Sequence, residues 1–241
     1  MTVKRSERAR TNTNLLIERF SDCLRAFEAE GDGEAGFSGA SVYFHEQALR
    51  RRDEHTSPES LVNDVCFMEY VYATLCAWGM HHTGDHKTKL VGFNDFCRSF
   101  QSDLVLESLS QLWNHSITSL ATSDESQIAA EVWSVIKRTR VSASETRIVA
   151  GSKALHHVLP NLIPPIDRRY TMGFFVGHTN IDQIGGGERI FEEIFPLLSE
   201  IGRARAEEIH ATVAGGGFME TGPAKVIDNA IVGFMYMRIG V

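Results

Sequence analysis

An all-α fold is predicted by three observations. Apolar residues recur at helical spacing through most of the 241 residues, no period-2 alternation runs long enough for a sheet, and helix-start signals stand before the apolar runs. With 43% hydrophobic residues and no internal repeat, the chain can bury a large core, which predicts a two-lobed helical bundle.

The elements follow in order. Residues 1–13 are predicted to be a basic N-terminal tail, and residues 14–241 a single helical domain. Asn14 to Glu30 carries Leu15, Leu16, Phe20, Cys23, Leu24 and Phe27 on helical spacing, whereas the following GDGEAGFSGAS is Gly-rich and acidic and reads as a flexible connection to Val42, Tyr43 and Phe44. At TSPES, Ser57 can cap and Pro58 suits the first turn. The run LVNDVCFMEYVYATLCAW beyond it is apolar on nearly every face, as a central helix would be. Asp103 to Leu120 is amphipathic, and the loop TSDES leads into a helix from Gln127 to Arg138.

Ser142-Ala-Ser-Glu145 has the spacing of a capping box, predicting a short helix towards Val149. Gly151 then permits a tight turn, and Ser152 can cap a second helix from Lys153 to about Val158, stopped by Pro160. Such a helix-hairpin-helix-like element offers backbone N–H groups to an anion. The stiff segment LIPPI follows and delivers Asp167 just before Arg168 and Arg169. Farther on, IDQIGGGERIFEEIFPLLSEIGRARAEEIHATVAGGGF reads as loop, helix, helix and loop, with Pro196 breaking or kinking its middle. Thr221 and Pro223 start a last helix that buries Val226, Ile227, Ala230, Ile231 and Phe234.

Composition narrows the function classes. No apolar run is long enough for a membrane span, and MTVKRSERARTNT lacks the apolar core of a signal peptide, so a cytoplasmic protein without membrane partners is expected. Cys23, Cys66, Cys76 and Cys97 form no C-x-x-C pair and are expected as buried thiols. The net charge of −7 gives no global case for nucleic acid, yet Lys137, Arg138, Arg140, Arg147, Lys153, Arg168 and Arg169 stand together against only Glu145 and Asp167. That basic island points to a local anionic partner, unless it is a solvated helix face.

The order VAGSKAL, an apolar helix, then PPID and two arginines resembles the helix-hairpin-helix DNA glycosylases of the endonuclease III and alkyladenine type, over about residues 142–171. The resemblance implies a DNA N-glycosylase excising a modified or mispaired base, with Asp167 where the family keeps its essential aspartate. It also implies Lys153 where bifunctional members keep a Schiff-base lysine, and Gly151 as the second hairpin glycine. Val149 stands where the first hairpin glycine is found, and the step from Lys153 to Asp167 is about one helical turn shorter than in the family.

These residues suit that chemistry. A fixed carboxylate can stabilise the positive charge that develops on the sugar and orient a water, and Asp167 is assigned that work, with a helix cap as its alternative. Lys153 is a nucleophile only if its pKa is depressed, and otherwise a phosphate or surface lysine. Gly151, Ser152, Arg168, Arg169 and Lys225 are assigned to DNA contact. Tyr43, Phe44, Trp78 and His82 are candidates for the walls that hold an extruded base, with core packing as the alternative. Of His156 and His157, one is expected inside and satisfied, the other solvated. His81, His82, Asp85 and His86 could ligate a metal, but their spacing matches no zinc template, so no metal or cofactor is assigned. The expected partner is double-stranded DNA with a modified base, phage DNA carrying modified cytosines being one such target. A non-catalytic DNA-binding helical module is the alternative, and a metal-dependent nuclease a third reading.

Overall fold

The computed structural model describes residues 3–31, 38–81, 90–144, 147–179, 181 and 186–239. It is all-helical, with no strand among the described residues beyond an isolated Leu90–Ser142 bridge. The chain runs through α1 (Val3–Glu18), α2 (Phe20–Gly31), α3 (Ala40–Asp53), α4 (Pro58–Val62), α5 (Val65–Leu75) and a π-type turn at Cys76–Met80. Then come α6 (Phe93–Phe100), α7 (Asp103–Leu112), α8 (Glu125–Thr139), α9 (Ile148–Val158) and α10 (Thr171–Phe175). The chain closes with α11 (Gly187–Ala204), α12 (Ala206–Gly215) and α13 (Pro223–Ile239). No helix of the described residues is long and apolar enough to cross a membrane.

Several local expectations change. Residues 3–13 are not a tail but the body of α1, because Ala9, Asn12 and Thr13 are buried and Asn12 Nδ2 donates to Phe174 O at 2.7 Å. The run after Ser57 is two helices. Ser57 caps α4 as expected, accepting from Ser60 N–H, but Asp64 then restarts the chain, its carboxylate accepting from the N–H groups of Cys66 and Phe67. Helix α5 leaves Val65, Cys66 and Glu69 exposed, so it is not the buried centre. That place belongs to α9, which touches α3, α5, α8 and α11 and buries every residue except Lys153. The helix from Asp103 stops at Leu112, and α11 continues through Pro196.

The hairpin expected at Gly151 is absent. Gly151 and Ser152 lie inside α9, and the described part of the segment before it holds the bridge residue Ser142 rather than a helix. Gly151 has a packing role: a Cβ there would meet Ile136 Cγ2 of α8 at 2.7 Å. Ser152 caps nothing. Its hydroxyl donates to Val149 O at 3.2 Å and accepts from the Ile166 N–H at 3.0 Å, tying α9 to the segment that carries Asp167.

The buried apolar side chains form one connected cluster drawn from α1 to α13, beside a small one of Phe27, Met219 and Val232. Helix α13 lies along α2, and α3 along α5. Cys23 is buried, which pushes its thiol up to about 11; Cys66, expected inside, is exposed.

Candidate functional site

Three pieces of chain meet at one narrow cleft with about 20 Å³ of room, lined by Trp78, Lys153, Pro165, Asp167, Lys225 and Asp228. Sequence reasoning anticipated Trp78, Lys153 and Asp167 as site residues, and the structure brings them together. That volume is room for about one water molecule, so a base enters this cleft only where its walls part.

Asp167 arrives on a buried extended segment. Leu162 to Ile166 are all buried with no sheet partner, so every backbone N–H there needs a satisfied place. Pro164 and Pro165 have no N–H to satisfy, Ile163 N–H donates to Leu159 O at 3.0 Å, and Ile166 N–H reaches Ser152. That is why a proline pair stands here. At the end of the segment Asp167 Oδ1 accepts from Tyr170 N–H at 2.6 Å, and its own N–H donates to Thr171 Oγ1 at 3.2 Å. The carboxylate therefore caps the turn into α10 while it lines the cleft.

Lys153 projects from α9 into the same cleft, with Nζ 5.4 Å from the centroid of the Trp78 ring. Enclosure lowers its pKa, partly offset by Asp167 and Asp228 and reinforced by Lys225. Trp78 is held at the π-type turn, where Gly79 takes a φ of 78° and the indole N–H donates to Ser41 O at 3.1 Å.

Lys225 is not the surface DNA contact that the sequence reading assigns. It is 1% exposed, and its ammonium donates to Asp228 Oδ2 at 2.7 Å and Asn229 Oδ1 at 2.6 Å. Burial raises the pKa of Asp228; the Lys225 charge opposes this and Asp167 adds to it. Gly151 and Ser152 are buried within the core and present nothing to a DNA backbone. Arg168 and Arg169 follow Asp167 outside the cleft lining, with the Arg169 guanidinium 5.1 Å from the Tyr170 ring centroid. Tyr43 is 54% exposed and packs on Phe44, which faces Tyr70; neither lines the cleft. His82 lies outside the described residues, as do Asp85 and His86, and His81 is exposed. Among the described residues no group of three or more His, Cys, Asp or Glu could hold a metal ion.

Behind the cleft stands a histidine cluster that the sequence only half disclosed. His45, His156 and His157 are all fully buried, so neither member of the His156–His157 pair is solvated. Their hydrogen bonds dictate one proton order. His157 Nδ1 lies 2.8 Å from Lys153 O, a carbonyl that only accepts, so Nδ1 carries the proton and Nε2 accepts. His45 Nδ1 must then donate to His157 Nε2 at 3.0 Å, which leaves His45 Nε2 to accept from the Thr221 hydroxyl at 2.8 Å. The chain of bonds joins α3, α9 and the entry to α13, the parts that carry Lys153, Lys225 and Asp228. His156 Nδ1 donates to Ile163 O at 2.8 Å, and its Nε2 is buried without a hydrogen-bond partner.

This order requires neutral rings. Burial holds His45 and His156 well below the ordinary value and brings His157 down to about 4, with like-charge repulsion from Lys225 acting on all three. A histidine depressed on folding binds its proton later in the native state than in the unfolded chain. Stability is therefore unaffected above the ordinary value near 6.5 and falls as the pH drops from there to about 4, by up to about 3 kcal/mol for His157 alone. Urea melts at pH 7 and pH 5 are expected to show this loss, and His157→Gln to shrink it; equal midpoints at the two pH values would contradict the neutral cluster.

No family model, no curated protein and no solved structure matches this chain.

Proposed function

We propose that this cleft breaks an N-glycosidic bond, releasing a modified or mispaired base from DNA. The observation that carries the reading is the convergence of a carboxylate, a lysine of lowered pKa and an indole face on one narrow cleft. Trp78 supplies a wall against which an extruded base can lie. Asp167, fixed through the Tyr170 N–H, sits where a carboxylate can stabilise positive charge on the sugar and orient a water, an effect of about 10²–10⁴ in rate for a well-placed group. Lys153 faces the same space as a neutralising charge or a nucleophile. The partner is double-stranded DNA, and modified cytosines such as those of phage genomes are one substrate class, which would give the protein a defence role.

One observation favours a second reading, a DNA-binding helical module without catalysis. Asp167 already has a structural duty in capping the turn before α10. Incubation of the protein with duplexes carrying a panel of damaged and hypermodified bases separates the two. Mass spectrometry is expected to find free base, and alkali to reveal abasic sites. Salt-sensitive binding with no base released from any duplex favours the module.

A further inference from the structure

The cleft holds a second carboxylate. Asp228 lines it together with Asp167, and stands one helical turn from Lys225 on α13. The Lys225 ammonium is fixed between Asp228 Oδ2 and Asn229 Oδ1, and Asn229 is fixed in turn by donating to Met219 O at 3.0 Å. The side chains of Lys225 and Asp228 are 1% and 7% exposed. Taking two charges out of water costs several kcal/mol per ion, and packed apolar residues usually serve stability as well or better. Stability alone therefore gives no reason for an ion pair at this wall.

Two carboxylates in one cleft take different roles when their surroundings differ. Asp167 is partly exposed at a chain turn and accepts a backbone N–H. Asp228 is enclosed and ion-paired with Lys225, with the charges of Asp167 and Lys153 also acting on it. A base that leaves a sugar carries away the bonding electron pair, and an unactivated base departs readily only when a proton meets that pair. We infer that the Lys225–Asp228 pair is the acid of the cleft, handing a proton to the departing base while Asp167 serves the sugar and the water.

The inference rests on the N-glycosylase reading. In the step, the C1′–N bond breaks with its electrons going to the base, and the base takes one proton from the pair at a ring nitrogen or carbonyl oxygen. The water oxygen bonds to C1′ and its proton passes to Asp167. Solvent then returns one proton to the pair and removes the one on Asp167, so charge and atoms balance.

The test is single-turnover base release between pH 5 and 10. The substrate is whichever base the wild type frees from duplexes carrying adenine, hypoxanthine, uracil, cytosine or 5-hydroxymethylcytosine at a defined position. Asp228→Asn breaks the pair but leaves the Lys225 charge buried, so the double variant Lys225→Gln/Asp228→Asn, which keeps hydrogen-bonding groups without charge and removes the acid, is measured beside it. Wild-type release is expected to fall as the pH rises and the cleft loses its acid. The folded variants are expected to be about 10²–10³ slower and to lose that alkaline limb. Variants with wild-type rates, or slower ones whose alkaline limb is unchanged, overturn the assignment. No release by the wild type from any duplex removes the glycosylase reading itself, and this inference with it.

Discussion

Gly233→Ala is expected to be the most costly single-methyl addition among the described glycines that have a neighbour within reach of a Cβ. A Cβ at this position of α13 would run into Cys23 O and stand 2.8 Å from Cys23 C and 2.9 Å from Phe27 N, all backbone atoms of α2. Overpacking absorbed by side chains costs about 1–3 kcal/mol, because rotamers give way. Here the obstacle is helix backbone, so α2 and α13 must separate along the seam that buries Phe20, Cys23, Ala230 and Phe234. A loss of about 4 kcal/mol or more follows, a large part of the roughly 5–15 kcal/mol that holds a domain together. Gly215→Ala is the control: it lies at the end of α12 with nothing within 4 Å of its Cβ, and is expected to be neutral or slightly stabilising. Guanidinium melts of the two variants give the comparison, and a Gly233→Ala midpoint equal to wild type would contradict backbone contact between α2 and α13.

The largest effect on activity is expected from Asp167→Asn. Asparagine keeps an oxygen that can accept the Tyr170 N–H, so the turn into α10 stays capped and the melting midpoint is expected to move little. The charge that the proposed reading sets beside the sugar is lost, and base release is expected to fall about 10²–10⁴-fold. Asp167→Ala removes charge and cap together and is expected to lose about 1 kcal/mol of stability in addition. The difference between the two variants separates the chemical duty of this carboxylate from its structural one.

The fold class was legible because it rests on periodicity, and the same is true of the long helices α8, α11 and α13. Boundaries were less so. The reading of residues 1–13 as a tail followed their charge, whereas burial of Ala9, Asn12 and Thr13 makes them helix, and α3 was hidden by the glycines and polar residues at its start. A hairpin at Gly151 cannot be told from the sequence, because glycine marks a turn and a close helix contact with the same letter and only the position of Ile136 decides between them. Among site residues, Lys153 and Asp167 stood out by local pattern, and Trp78 by its chemistry. Asp228 was missed although a signal was present. Lys225, Asp228 and Asn229 form a polar trio at helical spacing within an otherwise apolar run, which calls for a buried, mutually satisfied group. His45 had no such signal, since its partners His157 and Thr221 lie far away in the chain and the pairing exists only in the packed structure.

The central claim is that the cleft of Trp78, Lys153 and Asp167 cleaves a glycosidic bond, and the most direct measurement is single-turnover release of free base by wild type and Asp167→Asn on the same modified duplex, with duplex affinity measured in parallel. The account predicts release by the wild type, a loss of about 10²–10⁴-fold in the variant, and affinity within a few-fold of wild type. Equal release by both proteins, or none by the wild type on any modified duplex despite binding, would contradict it and leave Asp167 as the cap of a turn.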